Sequence, residues 1–216
     1  RCVNPECPAQ ALRNIIHFAS RDAMDIEGVG PAVLQQMIET EMVRSPADLY
    51  YLREEDVANL ERMGKKSARN AMEAIEKSKE NDLSRLLYAL GIRQVGAKAG
   101  HVLAAHFKSF EALSASGLDE LTEIPDIGPI TAQFILDWLG SAQSQHLIGR
   151  LKAAGVNMEY LEKQVNSNFE GMTFVLTGTL QEFTRQEAGK LVEERGGKAV
   201  SSVSKKTTYV VAGENA

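Results

Sequence analysis

The chain has 216 residues, 44% apolar and 25% charged, a composition that suits one or two folded domains. Its net charge of −5 excludes a protein that holds nucleic acid mainly through lysine and arginine. Either it ignores nucleic acid or it grips phosphates with other groups. No apolar run approaches membrane-spanning length and no signal peptide is visible. The chain opens at Arg1 without a methionine, as expected of a piece of a longer polypeptide.

The first stretch, "RCVNPECPAQ", holds both cysteines, Cys2 and Cys7. A structural zinc site takes four ligands, so these two are expected to be half of a four-cysteine site completed upstream. The alternative is a pair of free thiols. His17 is the nearest imidazole, and its neighbours Ile15, Ile16 and Phe18 assign it to a partly buried helix. With one possible internal pair, the body of the protein owes nothing to disulfides, which fits a reducing cytoplasm.

From Ile26 a pattern begins: apolar, two variable residues, apolar, glycine. "IEGVG" returns as "LERMG" from Leu60, "IRQVG" from Ile92 and "IPDIG" from Ile124. The closing glycines, Gly30, Gly64, Gly96 and Gly128, are 34, 32 and 32 residues apart. Four residues after each stand Leu34, Ala68, Gly100 and Ala132. Seven and eight after stand Met37/Ile38, Ala71/Met72, Leu103/Ala104 and Ile135/Leu136. These offsets share one helical face, so each glycine opens a helix with the same buried register. A larger repeat of 64 residues relates Ser45, Leu49, Val57 and Leu60 to Ser109, Leu113, Leu121 and Ile124. The unit is a pair of hairpins present twice, forming one all-helical domain over about 22–155.

Two readings of the turn stand. Glycine can serve a corner that needs positive φ. Or the helix opening is itself used, since unpartnered N–H groups and the helix dipole make an anion site that needs no basic side chain. Four copies in register favour use. A nucleotide cradle is disfavoured, because "GVGPAV" lacks the third glycine and no hydrophobic strand precedes it. No Walker A sequence occurs.

The four turns resemble helix-hairpin-helix motifs, which bind the DNA backbone without reading sequence. That resemblance implies contacts from Gly28, Val29 and Gly30 in the first copy, and from Met63, Gly64, Lys65, Lys66 and Arg69 in the second. The third copy offers Arg93, Val95, Gly96 and Lys98, and the fourth Ile127 and Gly128. Only the first copy has both glycines; Arg62, Gln94 and Asp126 replace the first one elsewhere. With Asp126 and no adjacent base, the fourth copy ranks as the poorest phosphate binder.

After a polar connector over 156–167, the composition turns to β-rich runs: "MTFVLTG", then a helix in "TRQEAGKLVEERGG", then "KAVSSV" and "TTYVVAG". Thr184 and Glu187 form a capping box, and Gly196-Gly197 stop the helix. Strand, helix, strand predicts a parallel sheet. The pieces "FVLTGTL", "EERGGKAV" and "SVSKKTTYVVAG" resemble a BRCT domain over 168–216, incomplete where the chain stops at Ala216. The family implies a phosphate pocket at Thr177, Gly178 and Lys205 or Lys206. Thr-Gly acting as a plain turn, with solvated lysines, is the competing reading.

The predicted fold class is mainly α: residues 1–21 as the end of a zinc finger and a connecting helix, a tandem helix-hairpin-helix domain, then a partial α/β BRCT-like domain. In that order the parts resemble the C-terminal part of bacterial NAD-dependent DNA ligase, and the resemblance covers nearly the whole chain. It implies nicked double-stranded DNA as partner, ligase domains upstream, a cytoplasmic setting and no membrane. It also implies zinc in the full-length protein, with NAD and magnesium bound by domains absent here. No K-x-D-G tetrapeptide occurs, so this stretch is expected to bind DNA and catalyse nothing. The alternatives are a protein-interaction adaptor and a DNA-repair or junction-binding module.

Overall fold

A computed structural model describes residues 8–161, 167–193 and 195–214. The chain forms two compact units, divided after Leu161.

The first unit is helical among its described residues. Its elements are α1 (Pro8–Ala19), α2 (Pro31–Glu39), a 3₁₀ turn (Pro46–Tyr51), α3 (Glu54–Ala58), α4 (Lys65–Ser78) and α5 (Leu83–Ala89). Then follow α6 (Ala97–Phe107), α7 (Phe110–Ala115), α8 (Leu118–Glu123), α9 (Pro129–Gly140) and α10 (Ala142–Ala153). Helix α1 packs on α2, α3 on α4, α5 on α6 and α8 on α9, which makes four hairpins.

The buried stripe follows the repeat. Leu34, Ala68, Gly100 and Ala132 are all buried, as are Met37, Ala71, Leu103 and Ile135. Side-chain volume at the first of these positions sets how closely two helices approach. Gly100 is the extreme case: a Cβ there would lie 3.0 Å from the Ser84 carbonyl on α5. The 64-residue repeat is also visible in the caps. Ser45 and Asp48 form a capping box over the 3₁₀ turn, and Ser109 Oγ accepts from the Ala112 N–H at the start of α7.

The connecting helix expected within residues 1–21 is present as α1. Helix α1 is the first arm of hairpin one, and Ile15 and Phe18 are fully buried in the common core. His17 is partly buried there; its Nε2 donates to the Tyr88 carbonyl at 2.8 Å, with its ring edge-on to the Tyr88 ring. An imidazole held this way by α5 is a packing residue.

The second unit has a parallel sheet in the order β2-β1-β3, with β1 at Thr173–Thr177, β2 at Lys198–Val200 and β3 at Tyr209–Ala212. Helix α11 (Arg185–Glu193) lies between β1 and β2 in the chain and packs on both. Its capping box is present: the Thr184 N–H donates to Glu187 Oε2 at 2.8 Å, and the Glu187 N–H donates to Thr184 Oγ1 at 3.3 Å. Phe174, Val175 and Leu176 bury the central strand, whereas Tyr209 and Val210 on β3 are half exposed. A central strand meets neighbours on both sides, and an edge strand does not.

Candidate nucleic-acid interface

The four repeated turns share one backbone. The residue two before each closing glycine has positive φ: Gly28 at 84°, Arg62 at 63°, Gln94 at 67° and Asp126 at 69°. Replacing glycine at this position in three copies has left the turn intact. For an L-residue the left-handed conformation costs about 1–2 kcal/mol, so three turns carry that strain and one avoids it.

The residue before each closing glycine anchors the turn. Val29, Val95 and Ile127 are buried and Met63 is partly buried against the core. Their side chains therefore face inward, and only their main chain is available at the surface.

The closing glycines behave differently. Gly30, Gly64, Gly96 and Gly128 are the N-caps of α2, α4, α6 and α9, in extended backbone that any residue adopts. A Cβ added at any of the four would meet nothing within 4 Å. Neither conformation nor internal packing calls for glycine there. Nor does capping, since serine, aspartate and asparagine cap helices at least as well. No side chain caps any of these four helices. Their first N–H groups lack an intrahelical partner and lie at the positive end of the helix dipole, except at Pro31 and Pro129, which carry no N–H. The left-handed turn required by the positive-φ reading is present, but it sits two residues earlier.

The structure brings the turns together in pairs, through equivalent positions. In the first pair, Gln36 of α2 reaches turn two: the Glu61 N–H donates to Gln36 Oε1 at 2.8 Å. Gly28 of turn one lies against Ala71 of α4, where a Cβ would be 3.5 Å away. In the second pair, Phe134 of α9 occupies the position of Gln36 and meets turn three, with the Arg93 guanidinium 4.5 Å above its ring. Lys98 Nζ is 2.7 Å from Asp126 Oδ2 of turn four.

The candidate cations thus differ in availability. Arg62, Lys65 and Lys66 are exposed, and Arg69 makes only a loose, exposed pair with Glu54 at 3.8 Å. Arg93 and Lys98 are each engaged with the neighbouring hairpin. Turn two is the most cationic of the four. Arg62 and Gln94 are missing from the residues singled out by sequence, although their place at the first glycine position of a repeated turn marks them.

The expected phosphate pocket of the second unit is not assembled. Thr177 and Gly178 follow the C-terminal end of β1. Lys205 and Lys206 precede Thr208, which bonds Thr173 at the opposite end of that strand, with the Thr208 N–H on the Thr173 carbonyl at 2.8 Å. The span from Thr173 to Thr177 is about 13 Å. Parallel strands enter the sheet at one edge and leave at the other, and this separates the two halves. Gly178 has a packing role instead: at φ 74°, its Cβ would lie 2.8 Å from the Glu214 carbonyl oxygen.

Cys2 and Cys7 lie outside the described residues. Among the described residues no group of three or more His, Cys, Asp or Glu is placed to hold a metal. Among them, too, no helix is long and apolar enough to cross a membrane.

Comparison with known proteins agrees with this geometry. The model of the SAM-like helix-hairpin-helix tandem matches residues 20–77, that of the helix-hairpin-helix motif 85–148, and that of the BRCA1 C Terminus (BRCT) domain 164–216. The whole chain aligns with 33% of the DNA ligase of Thermoanaerobacter sp. strain X514, at 51% identity over 216 residues. It aligns with 32% of the DNA ligase of Carboxydothermus hydrogenoformans, at 54% over 215 residues, and with 32% of that of Clostridioides difficile, at 45% over 219. The chain spans about a third of the length of these curated relatives.

Proposed function

This chain corresponds along its length to the helix-hairpin-helix and BRCT region of bacterial DNA ligases, and we infer that it holds duplex DNA by its backbone. The parent enzyme seals nicks with NAD in the bacterial cytoplasm. Adenylation, NAD binding and magnesium binding belong to domains outside these residues, and this stretch catalyses nothing by itself. Cys2 and Cys7 supply two of four zinc ligands, the other two coming from upstream.

One observation carries the reading. Four helices open on glycines that neither backbone angle, nor packing, nor capping requires. An external group that must approach the main chain closely does require them. A phosphate oxygen fits: it is anionic, it accepts several N–H bonds, and such charged hydrogen bonds contribute about 1.5–3 kcal/mol each. This explains how a chain of net charge −5 binds a polyanion. Amides see phosphates alike whatever the base, so binding is independent of sequence.

The test is retention of a nicked duplex by the 216-residue chain. The expected dissociation constant is roughly 10⁻⁴–10⁻⁶ M, the range of non-specific binding. Gly30→Val and Gly64→Val are expected to weaken it while circular dichroism stays helical, because both positions have room for a side chain. Unchanged affinity in both variants would remove the amide mechanism. A folded chain that retains no duplex at low salt would favour the adaptor.

A further inference from the structure

We propose that the cleft between α1, the 3₁₀ turn and α10 receives an extended peptide of a partner protein, held by an aromatic side chain beneath Arg44. None of the four closing glycines lines this cleft, so the proposal stands or falls apart from the backbone-binding reading.

In the second hairpin pair, residues 157–161 lie as a strap across residues 108–110. Ser109 and Glu159 form an antiparallel bridge. The Tyr160 N–H donates to the Lys108 carbonyl at 2.7 Å, and the Phe110 N–H to the Met158 carbonyl at 2.9 Å. Lys108 Nζ lies 4.9 Å from the centre of the Tyr160 ring. On the strap's other side, the Asn157 N–H donates to the Lys79 carbonyl at 2.8 Å and the Leu83 N–H to the Glu159 carbonyl at 3.2 Å.

The first pair has the counterpart of this seat as an open cleft. Sixty-four residues before Lys108, Ser109 and Phe110 stand Arg44, Ser45 and Pro46; sixty-four after Lys79 and Leu83 stand Gln143 and Leu147. Both groups line one cleft of about 600 Å³. Ser45 repeats the extended backbone of Ser109, with φ −141° and ψ 161° against −139° and 154°. The Arg44 carbonyl accepts no hydrogen bond among the described residues, whereas its copy at Lys108 accepts one.

The side chains repeat the chemistry. Arg44 keeps the cation of Lys108, and an exposed pair with Glu41 at 3.1 Å holds it only weakly. Trp138, Leu90 and Leu147 are partly buried and give the cleft apolar surface. The strap shows the pattern that fits: Tyr160 beneath the cation, and Met158, two residues earlier on an extended chain, packed on the core. Pro46 has no N–H to give, and Asp48 takes those of Arg44 and Ser45, so one main-chain bond is available. Such a seat suits a transient partner segment rather than a permanent strap.

The chain's single tryptophan, Trp138, lies in the cleft and reports on it. The probe is a capped peptide of the strap's own sequence, NMEYL, titrated while tryptophan alone is excited. A saturating change in fluorescence is expected, with a dissociation constant of about 0.1–1 mM. Alanine in place of the peptide's tyrosine, or Arg44→Ala in the chain, is expected to weaken binding about two- to fivefold, and Arg44→Lys to restore it. Arg44 is exposed, so circular dichroism should stay helical in both variants. An unchanged spectrum up to several millimolar peptide, or equal affinity for the two peptides, would overturn the proposal. So would a spectrum that changes with protein concentration alone, which would give the cleft to a second copy of the chain.

Discussion

Lys98 and Asp126 belong to different hairpins, yet Lys98 Nζ lies 2.7 Å from Asp126 Oδ2. Read along the chain, turn four has an acid at its tip and no base beside it. In space, turn three supplies the base. The pair neutralises the anion that would repel a phosphate at Gly128, and occupies a cation that would attract one at Gly96.

Asp126→Asn releases that cation. The pair is exposed on both sides, so stability should change by no more than about 0.5 kcal/mol. Affinity for nicked duplex is expected to rise severalfold, with a salt dependence steeper by about one. Fluorescence anisotropy across a salt series measures both, and unchanged affinity would show that Lys98 does not face the DNA.

Gly64→Ser separates stability from binding. Serine is a good N-cap and has room at this position, so α4 should gain a few tenths of a kcal/mol. The same hydroxymethyl group stands where the phosphate must approach, and DNA affinity should fall. A denaturant titration beside a binding curve checks the opposed signs.

Asp48 is predicted to make the first unit acid-sensitive. Burial raises its carboxyl pKa, but bonds from the Arg150 guanidinium and from the Arg44 and Ser45 N–H groups outweigh that, with Arg150's charge adding to them, and hold it below the usual value. A depressed pKa contributes stability that is complete above the ordinary carboxyl value of about 3.9 and is lost as pH falls through the lowered one. Asp48→Asn should cost about 2 kcal/mol near neutrality, since Arg150 loses its partner and the Ser45 box its carboxylate. Melting curves of both proteins should converge once the pH lies below the lowered pKa of Asp48. A constant gap down to low pH would overturn the assignment.

Gly178→Ala tests whether that glycine is structural. Its Cβ would meet the main chain of Gly213 and Glu214 at 2.8–2.9 Å, at a φ of 74°. The second unit should lose about 2–4 kcal/mol, visible as an early transition in thermal unfolding. An unchanged transition would reopen the phosphate-pocket reading of Thr177 and Gly178.

The helices after each glycine were legible because burial repeats at four and seven residues, and that period belongs to the chain itself. Leu34, Ala68, Gly100 and Ala132 were placed correctly for this reason. The capping box of Thr184 and Glu187 was legible because both partners lie within one turn. The packing of α1 on α2 was not legible, because hairpin one has no earlier copy of the repeat to mark a partner helix before it. The pocket joining Thr177 to Lys205 failed because a motif written in sequence order does not say which edge of a parallel sheet each loop reaches.

By itself, the sequence determined four equivalent helix starts and the α/β pattern that follows them, since both depend on residues within about ten positions of one another. Tertiary structure decided which turns are free to act. Whether Lys98 faces solvent or Asp126, whether Arg93 reaches out or stacks on Phe134, and whether a glycine's missing Cβ opens onto space or onto a carbonyl all depend on atoms distant in the chain. Electrostatics and packing act through distance in space, and only the fold sets that distance.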